Sequence, residues 1–320
     1  MTAVMLEAPT DFRPFDLAEW VELFMVLNDL TSLSRSAFLQ LFPAGQAPDG
    51  AEIDELFGEV RRRADIAPHL YPFRDVEESI VREPDIDGRI YRLLLMMSLE
   101  VAPFRQENRY NEINPAFELL TREAMISYMG QGALGRRFGW PSGDGRPQYL
   151  ADAIEWLAQA MSLQVGDLAD IDADDKDGGV DVVVWKPFAD GSPAFSVYLI
   201  QCTVQAGYEG KAGGINAARW LTWIKFGQAP QKVLSIPHAV PLDAKVRVSL
   251  GFSFHVLLDR LRICEKLDGG TNLAHFAEYE HIAEWVTAEI EKTRLALTTP
   301  GARRPRPPKP RRPLNRGRPR

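Results

Sequence analysis

Apolar residues recur at helical spacing through the first third of the chain. Leu17, Trp20, Val21, Phe24 and Leu27 share one face, and Ile53, Leu56, Phe57 and Val60 share another, with Pro43, Pro48 and Gly50 as breakers between them. Ile90 to Leu99 predicts a further apolar helix. Asn114-Pro115 has the form of an N-cap followed by Pro at the first helical position, opening a helix that runs to about Tyr128. The pattern predicts an all-helical segment over residues 1–129. Gly130, Gly132, Gly135, Gly139, Gly143 and Gly145, with Pro141, then predict a long loop and a domain boundary.

Periodicity returns at Gln148 to Leu163, an amphipathic helix with Leu150, Ile154, Leu157, Ala158 and Met161 as its buried stripe and Glu155 beside that stripe. A short strand is expected near Val165 to Ile171. Two strongly β-forming runs follow, Val180 to Trp185 and Phe195 to Thr203. The turn chemistry between them, Pro187, Asp190-Gly191 and Ser192-Pro193, makes them neighbouring strands. Ile215 to Phe226 reads as a helix carrying Trp220 and Trp223. Lys232 to Ile236 reads as a strand ended by Pro237, Phe252 to Leu258 as a further strand, and Asn272 to Leu295 as a closing helix. Helices alternating with short apolar strands predict an α/β (α+β) fold. The expected organisation is a helical N-terminal domain over 1–129, an α/β domain over 130–297 and a tail over 298–320.

An apolar content of 45% in 320 residues is ample for a packed core. No apolar run approaches the roughly 18 residues that a membrane span requires, and the first residues lack the form of a secretory signal, so a cytoplasmic protein without membrane contact is expected. Cys202 and Cys264 suit buried thiols better than a disulfide. The net charge of −7 hides an asymmetry. From Arg303 to Arg320 there are nine Lys or Arg and no acid, which leaves 28 bases against 44 acids, a net −16, for the rest. An acidic body is not the footprint of a protein that coats nucleic acid with a broad basic face. The Pro/Arg-rich tail cannot fold by burial. Arg303, Arg304 and Arg306 in it are candidate contacts to nucleic acid or an acidic partner, of a salt-sensitive and sequence-independent kind, and Arg136 and Arg137 are candidate phosphate contacts in the glycine-rich loop.

Candidate chemistry gathers around the two central strands. Asp181 lies near the start of the first, and Gln201 and Thr203 lie two apart, hence on one face, at the end of the second. The acids Asp172, Asp174, Asp175 and Asp177 lack the spacing of a calcium loop and read as a solvated approach to the strand, with Asp177 near enough to it to be a spare ligand. None of the five histidines falls into a ligand spacing, and His238 after Pro237 reads as structural. Trp220 and Trp223, three apart on an apolar helix, read as core, and Asp259-Arg-Leu-Arg262 as an ion-paired element.

The order helix, strands, helix, strand, with Asp177-Gly-Gly-Val-Asp-Val-Val-Val-Trp185 followed by Leu199-Ile-Gln-Cys-Thr203, resembles the PD-(D/E)XK, or restriction-endonuclease-like, superfamily, in a bacterial branch with Gln in place of the motif acid. The resemblance covers residues 130–295 and implies an αβββαβ core. It implies that Asp181, the Gln201 oxygen, the Cys202 backbone carbonyl and Glu155 hold Mg2+ or Mn2+. The usual Lys of the triplet is Thr203 here. Superfamily members can supply it from the following segment, where Lys211 is the first candidate and Lys225 the second. The implied activity is metal-dependent hydrolysis of phosphodiester bonds, in DNA first and RNA second, as effector of a bacterial defence or DNA-processing system. A protein partner would bind through the helical domain or the tail. The alternative is a catalytically inactive nuclease-like fold that serves as a nucleic-acid-binding or scaffold subunit.

Overall fold

The computed structural model describes residues 4, 6, 7, 9, 12–99, 111–141, 143, 145–205, 207, 208, 211, 214–241, 254–268 and 279–298. In the first third, α1 (Pro14–Leu27) carries Pro and Asp16 in its first turn, and α3 (Gly50–Ile66) is opened by a capping box in which Asp49 and Glu52 each accept the other's backbone N–H, at 2.9 and 2.7 Å. The apolar stripes are buried as the pattern predicts. The segment is not all helical, however. β1 (Ser32–Ser34), β2 (Phe73–Val76) and β3 (Ser79–Arg82) form an antiparallel sheet in the order β1-β3-β2, with α2 (Arg35–Leu39) after β1 and α4 (Arg89–Met97) after β3. The β2–β3 hairpin turns at Glu77-Glu78, both with positive φ, 47° and 59°. That conformation is usually supplied by Asn-Gly, and two glutamates give no turn signal.

The second sheet has the order β4-β5-β6-β7-β8. It is preceded by α5 (Asn114–Met129), in which Asn114 and Pro115 are the first two helical residues and Ile113 takes the cap position. β4 (Leu134–Arg137), β5 (Val182–Trp185) and β6 (Val197–Cys202) pair antiparallel. β7 (Gln231–Ser235) and β8 (Val256–Leu258) continue in parallel. α6 (Leu150–Ala160) is inserted between β4 and β5, and α7 (Ala217–Trp223) crosses from β6 to β7, which parallel pairing requires. α8 (Arg260–Asp268) and α9 (Tyr279–Thr298) close the described chain.

Alternation along the strands decides which helix each residue meets. Val182, Val184, Ile200 and Val233 join α5, α8, α9 and the N-terminal helices in one apolar cluster. Val183, Trp185, Val197 and Leu199 join α6 and α7 in another, where Trp220 and Trp223 are fully buried, as a core role predicts. The result is a mixed α/β core with helices on both faces of the sheet.

Two expectations need correction. The glycine-rich run is not all loop, because Leu134-Gly-Arg-Arg137 forms edge strand β4 against β5 despite having a single large apolar residue. The expected strand at Val165 to Ile171 is a single bridge, Val165 to Ile224. The αβββαβ order is therefore met by α5, β4, β5, β6, α7 and β7, with α5, not α6, as the leading helix. The basic tail, with Arg303, Arg304 and Arg306, lies outside the described residues. Among the described residues no helix is long and apolar enough to cross a membrane.

Candidate acidic site

Asp181 sits immediately before β5. Its backbone carbonyl accepts the N–H groups of Phe138 (2.7 Å) and Gly139 (2.8 Å), and its own N–H donates to the Ile200 carbonyl (2.9 Å). Its carboxylate accepts the Cys202 backbone N–H at 2.7 Å. The ends of β4, β5 and β6 thus fix it in place. Glu118, one turn into α5, is buried, and its Oε2 accepts from Arg137 Nε at 2.6 Å. Gly139 makes room for it: a Cβ there would stand 2.7 Å from Glu118 Oε2.

Burial pushes the Asp181 carboxyl up to about 7. The charge of Asp177 adds to this, while the Cys202 hydrogen bond, Arg137 and Lys211 oppose it. Burial and the Asp181 charge push Glu118 up to about 8 against the Arg137 ion pair. The Cys202 thiol is driven well above its ordinary value, by burial first and then by both carboxylates, so it is no nucleophile. The site is a pair of mutually repelling carboxyl groups whose neutral forms are favoured until a positive charge compensates them.

Gln201 packs against Gly214, where a Cβ would come within 2.4 Å of its Oε1. That oxygen is buried and has no hydrogen-bond partner among the described residues. A buried acceptor left without a donor is costly. Gln201 Oε1, the two carboxylates and the Cys202 carbonyl are all oxygen donors, a type that suits a hard cation such as Mg2+ or Mn2+ and not a soft one. The set is short of charge. Among the described residues no group of three or more His, Cys, Asp or Glu stands ready to hold a metal ion.

Of the residues that the sequence singles out, Asp181 and Cys202 are hydrogen-bonded, Lys211 is close enough for its charge to act on Asp181, and Gln201 lies against Gly214. Glu155 does not join them. It is exposed on α6, because that helix is an insertion between β4 and β5, and Glu118 of α5 faces Asp181 instead. The signal for Glu118 was available: an acid between Phe117 and Leu119-Leu120 in the helix immediately before a strand. It was obscured because β4 did not read as a strand. Lys225 is exposed with its Nζ over Gly166, at the end of α7. Thr203 is buried, and its hydroxyl accepts the Gln205 N–H at 3.3 Å. Arg137 is buried in its ion pair and is not presented to a phosphate backbone, whereas Arg136 is exposed.

No family model and no curated protein matches this chain. Among solved structures, the MspJI restriction endonuclease in complex with a 27-mer oligonucleotide is similar, at 11% identity and a TM-score of 0.33, over 66% of this chain and 40% of that one. The match is distant. The chain spans less than half the length of that endonuclease.

Proposed function

We propose that this chain is a nucleic-acid-binding subunit built on a nuclease-like fold, in which the acidic site holds a divalent cation weakly and does not cut efficiently. The observation that carries this reading is the Arg137–Glu118 ion pair at 2.6 Å. It engages one of the two carboxyl groups of the site, and the Lys position of the triplet is a buried Thr203 engaged in its own turn. Glu118, Asp181, Gln201 Oε1 and the Cys202 carbonyl would hold the cation. When bound, it would supply the positive charge that draws a phosphate oxygen to the site. On its binding Asp181 and Glu118 would release their protons to solvent, and Lys211 would lie beside the same phosphate.

A second reading, metal-dependent phosphodiester hydrolysis, is favoured by the orphaned Gln201 Oε1 and by the Lys211 charge at Asp181. One experiment separates the two. The full chain and its Asp181→Ala and Lys211→Ala variants are incubated with plasmid, linear and single-stranded DNA and with RNA, with Mg2+, with Mn2+ or with chelator. Binding and cleavage are read on native and denaturing gels. The proposal expects salt-sensitive binding that Mn2+ strengthens, loss of that Mn2+ effect in Asp181→Ala, and intact substrate. Cation-dependent cutting abolished in Asp181→Ala would establish the hydrolytic reading, and failure of the wild-type chain to bind any nucleic acid would overturn both.

A further inference from the structure

The segment after β4 leaves an aromatic ring and a cation in solvent directly beside the acidic site. Phe138 and Gly139 hold the Asp181 carbonyl, and the next residue, Trp140, is 44% exposed. Lys176 Nζ stands 4.6 Å from the Trp140 ring centroid. Trp140 is not a loose end, because its surroundings are built from below. Phe138 packs edge-on against the buried Trp220 at 5.4 Å, and Arg146, itself buried, lies over the Phe138 ring at 4.6 Å. Arg146 Nη2 donates to the Lys176 backbone carbonyl at 2.6 Å, which ties the Lys176 segment to the Trp140 segment. Arg137 Nη2 donates to the carbonyl of Pro141 at 3.2 Å.

A single exposed aromatic residue needs no explanation on its own. Here two features coincide: a ring open to solvent on a built support, and an exposed ammonium over that ring. In the same stretch Arg136 is also exposed, whereas Arg137 and Arg146 are buried and engaged with Glu118 and with backbone carbonyls. Asp177 is close enough for its charge to act on Arg146. An aromatic face flanked by cations matches a strand whose bases offer π-faces and whose backbone is anionic. A neutral peptide would leave the cations unused.

We propose that Trp140, with Lys176, is a stacking platform for an unpaired base of a nucleic-acid strand whose neighbouring phosphate reaches the Asp181 site. This rests on the nucleic-acid reading above and adds to it a preference for single-stranded or locally opened substrate. The paired bases of a duplex keep their faces covered, so the platform discriminates against intact duplex.

The test uses the full chain and its Trp140→Ala, Trp140→Phe and Lys176→Gln variants. Affinity is measured for a short oligothymidylate, for the same length of abasic strand, and for a duplex. Stacking on an aromatic side chain is a substantial part of single-strand affinity, so Trp140→Ala is expected to weaken oligothymidylate binding by roughly ten-fold or more while the abasic strand is bound equally by both proteins. Trp140→Phe, which keeps a ring, is expected to stay close to wild type, and Lys176→Gln to fall between. Fluorescence quenching by the oligothymidylate should be smaller in Trp140→Phe, with Trp140 itself removed from the signal. Equal loss for oligothymidylate and abasic strand in Trp140→Ala would indicate a merely structural role and overturn the proposal. Unchanged oligothymidylate affinity in Trp140→Ala, with wild type binding normally, would overturn the platform and leave the nucleic-acid reading standing. Absence of binding by wild type would overturn that reading.

Discussion

At the scale of single residues, Glu118 and Asp181 determine how the site responds to pH. Both carboxyl groups hold their protons more tightly in the fold than in the unfolded chain, where their ordinary values are 4.5 and 3.8. Between those values and the folded ones, about 8 and about 7, the native state binds more protons than the unfolded state. Stability therefore falls as pH rises through that window and is highest below it, by an amount on the order of a few kcal/mol. Without divalent cation, the midpoint of thermal unfolding should drop between about pH 5 and about pH 8, and Asp181→Asn should flatten the profile. Mn2+ should restore stability at the alkaline end, because a bound cation offsets the charge that the protons leave behind. Glu118→Gln should abolish that restoration, and Glu155→Gln should leave it intact, since Glu155 is exposed on the inserted helix. A Mn2+ effect that survives Glu118→Gln and vanishes in Glu155→Gln would return the site to the arrangement expected from sequence.

Among the elements, the turn into β5 carries the closest packing near the site. Gly179 has φ +78°, and a Cβ there would meet the Gly214 carbonyl oxygen at 2.1 Å. Gly214 in turn donates its N–H to the Lys211 carbonyl and lies against Gln201. Gly179→Ala should therefore both destabilise the protein, by about 2–3 kcal/mol in urea unfolding, and displace Lys211 and Gln201. Gly191, with φ +73° and nothing within 4 Å of its would-be Cβ, is the control, and its alanine variant should cost only about 1 kcal/mol of backbone strain. Equal costs at the two positions would refute the close contact. These elements also show what could be read in advance. α6 was legible from its helical period, and β5 and β6 because each is a β-forming apolar run with turn residues between them. β4 was not, because pairing to β5 along one edge, not burial of its own side chains, makes it a strand, and missing it displaced the leading helix by one element. The Glu77-Glu78 hairpin was invisible for a related reason: tertiary context holds two glutamates at positive φ where local sequence offers no turn residue.

For the whole molecule, the question is what joins the N-terminal elements to the sheet. One apolar cluster runs from Leu17 and Phe24 of α1 to Val182 of β5 and Leu261 of α8, and a buried charge network is set into it. Glu22 of α1 accepts hydrogen bonds from Arg63 (2.8 Å), Tyr71 (2.7 Å) and Tyr91 (2.6 Å), all four residues being fully buried. Arg63 also reaches Glu19 at 2.6 Å, and Glu19 pairs with Arg260, the first residue of α8. The network therefore crosses from α1 and α3 to the element that follows β8. Burial raises the pKa of Glu22, whereas the two arginines hold Glu19 below its ordinary value despite its burial. Buried pairs of this kind gain little over apolar replacements but are costly to break from one side. Arg63→Met should therefore cost about 3–5 kcal/mol, because it strands Glu22 without its cation, and adding Glu22→Leu should recover part of the loss. The chain has seven tryptophans, with Trp20 in α1 and Trp220 in α7, so 5-fluorotryptophan labelling, with Trp20→Phe and Trp220→Phe used to assign the two fluorine resonances, lets each position be followed by itself. If the network and its cluster unite the two regions, Arg63→Met should lower the denaturant midpoint by the same amount at both positions. A shift seen at Trp20 and absent at Trp220 would show that the helical third unfolds on its own and that the sheet stands without it.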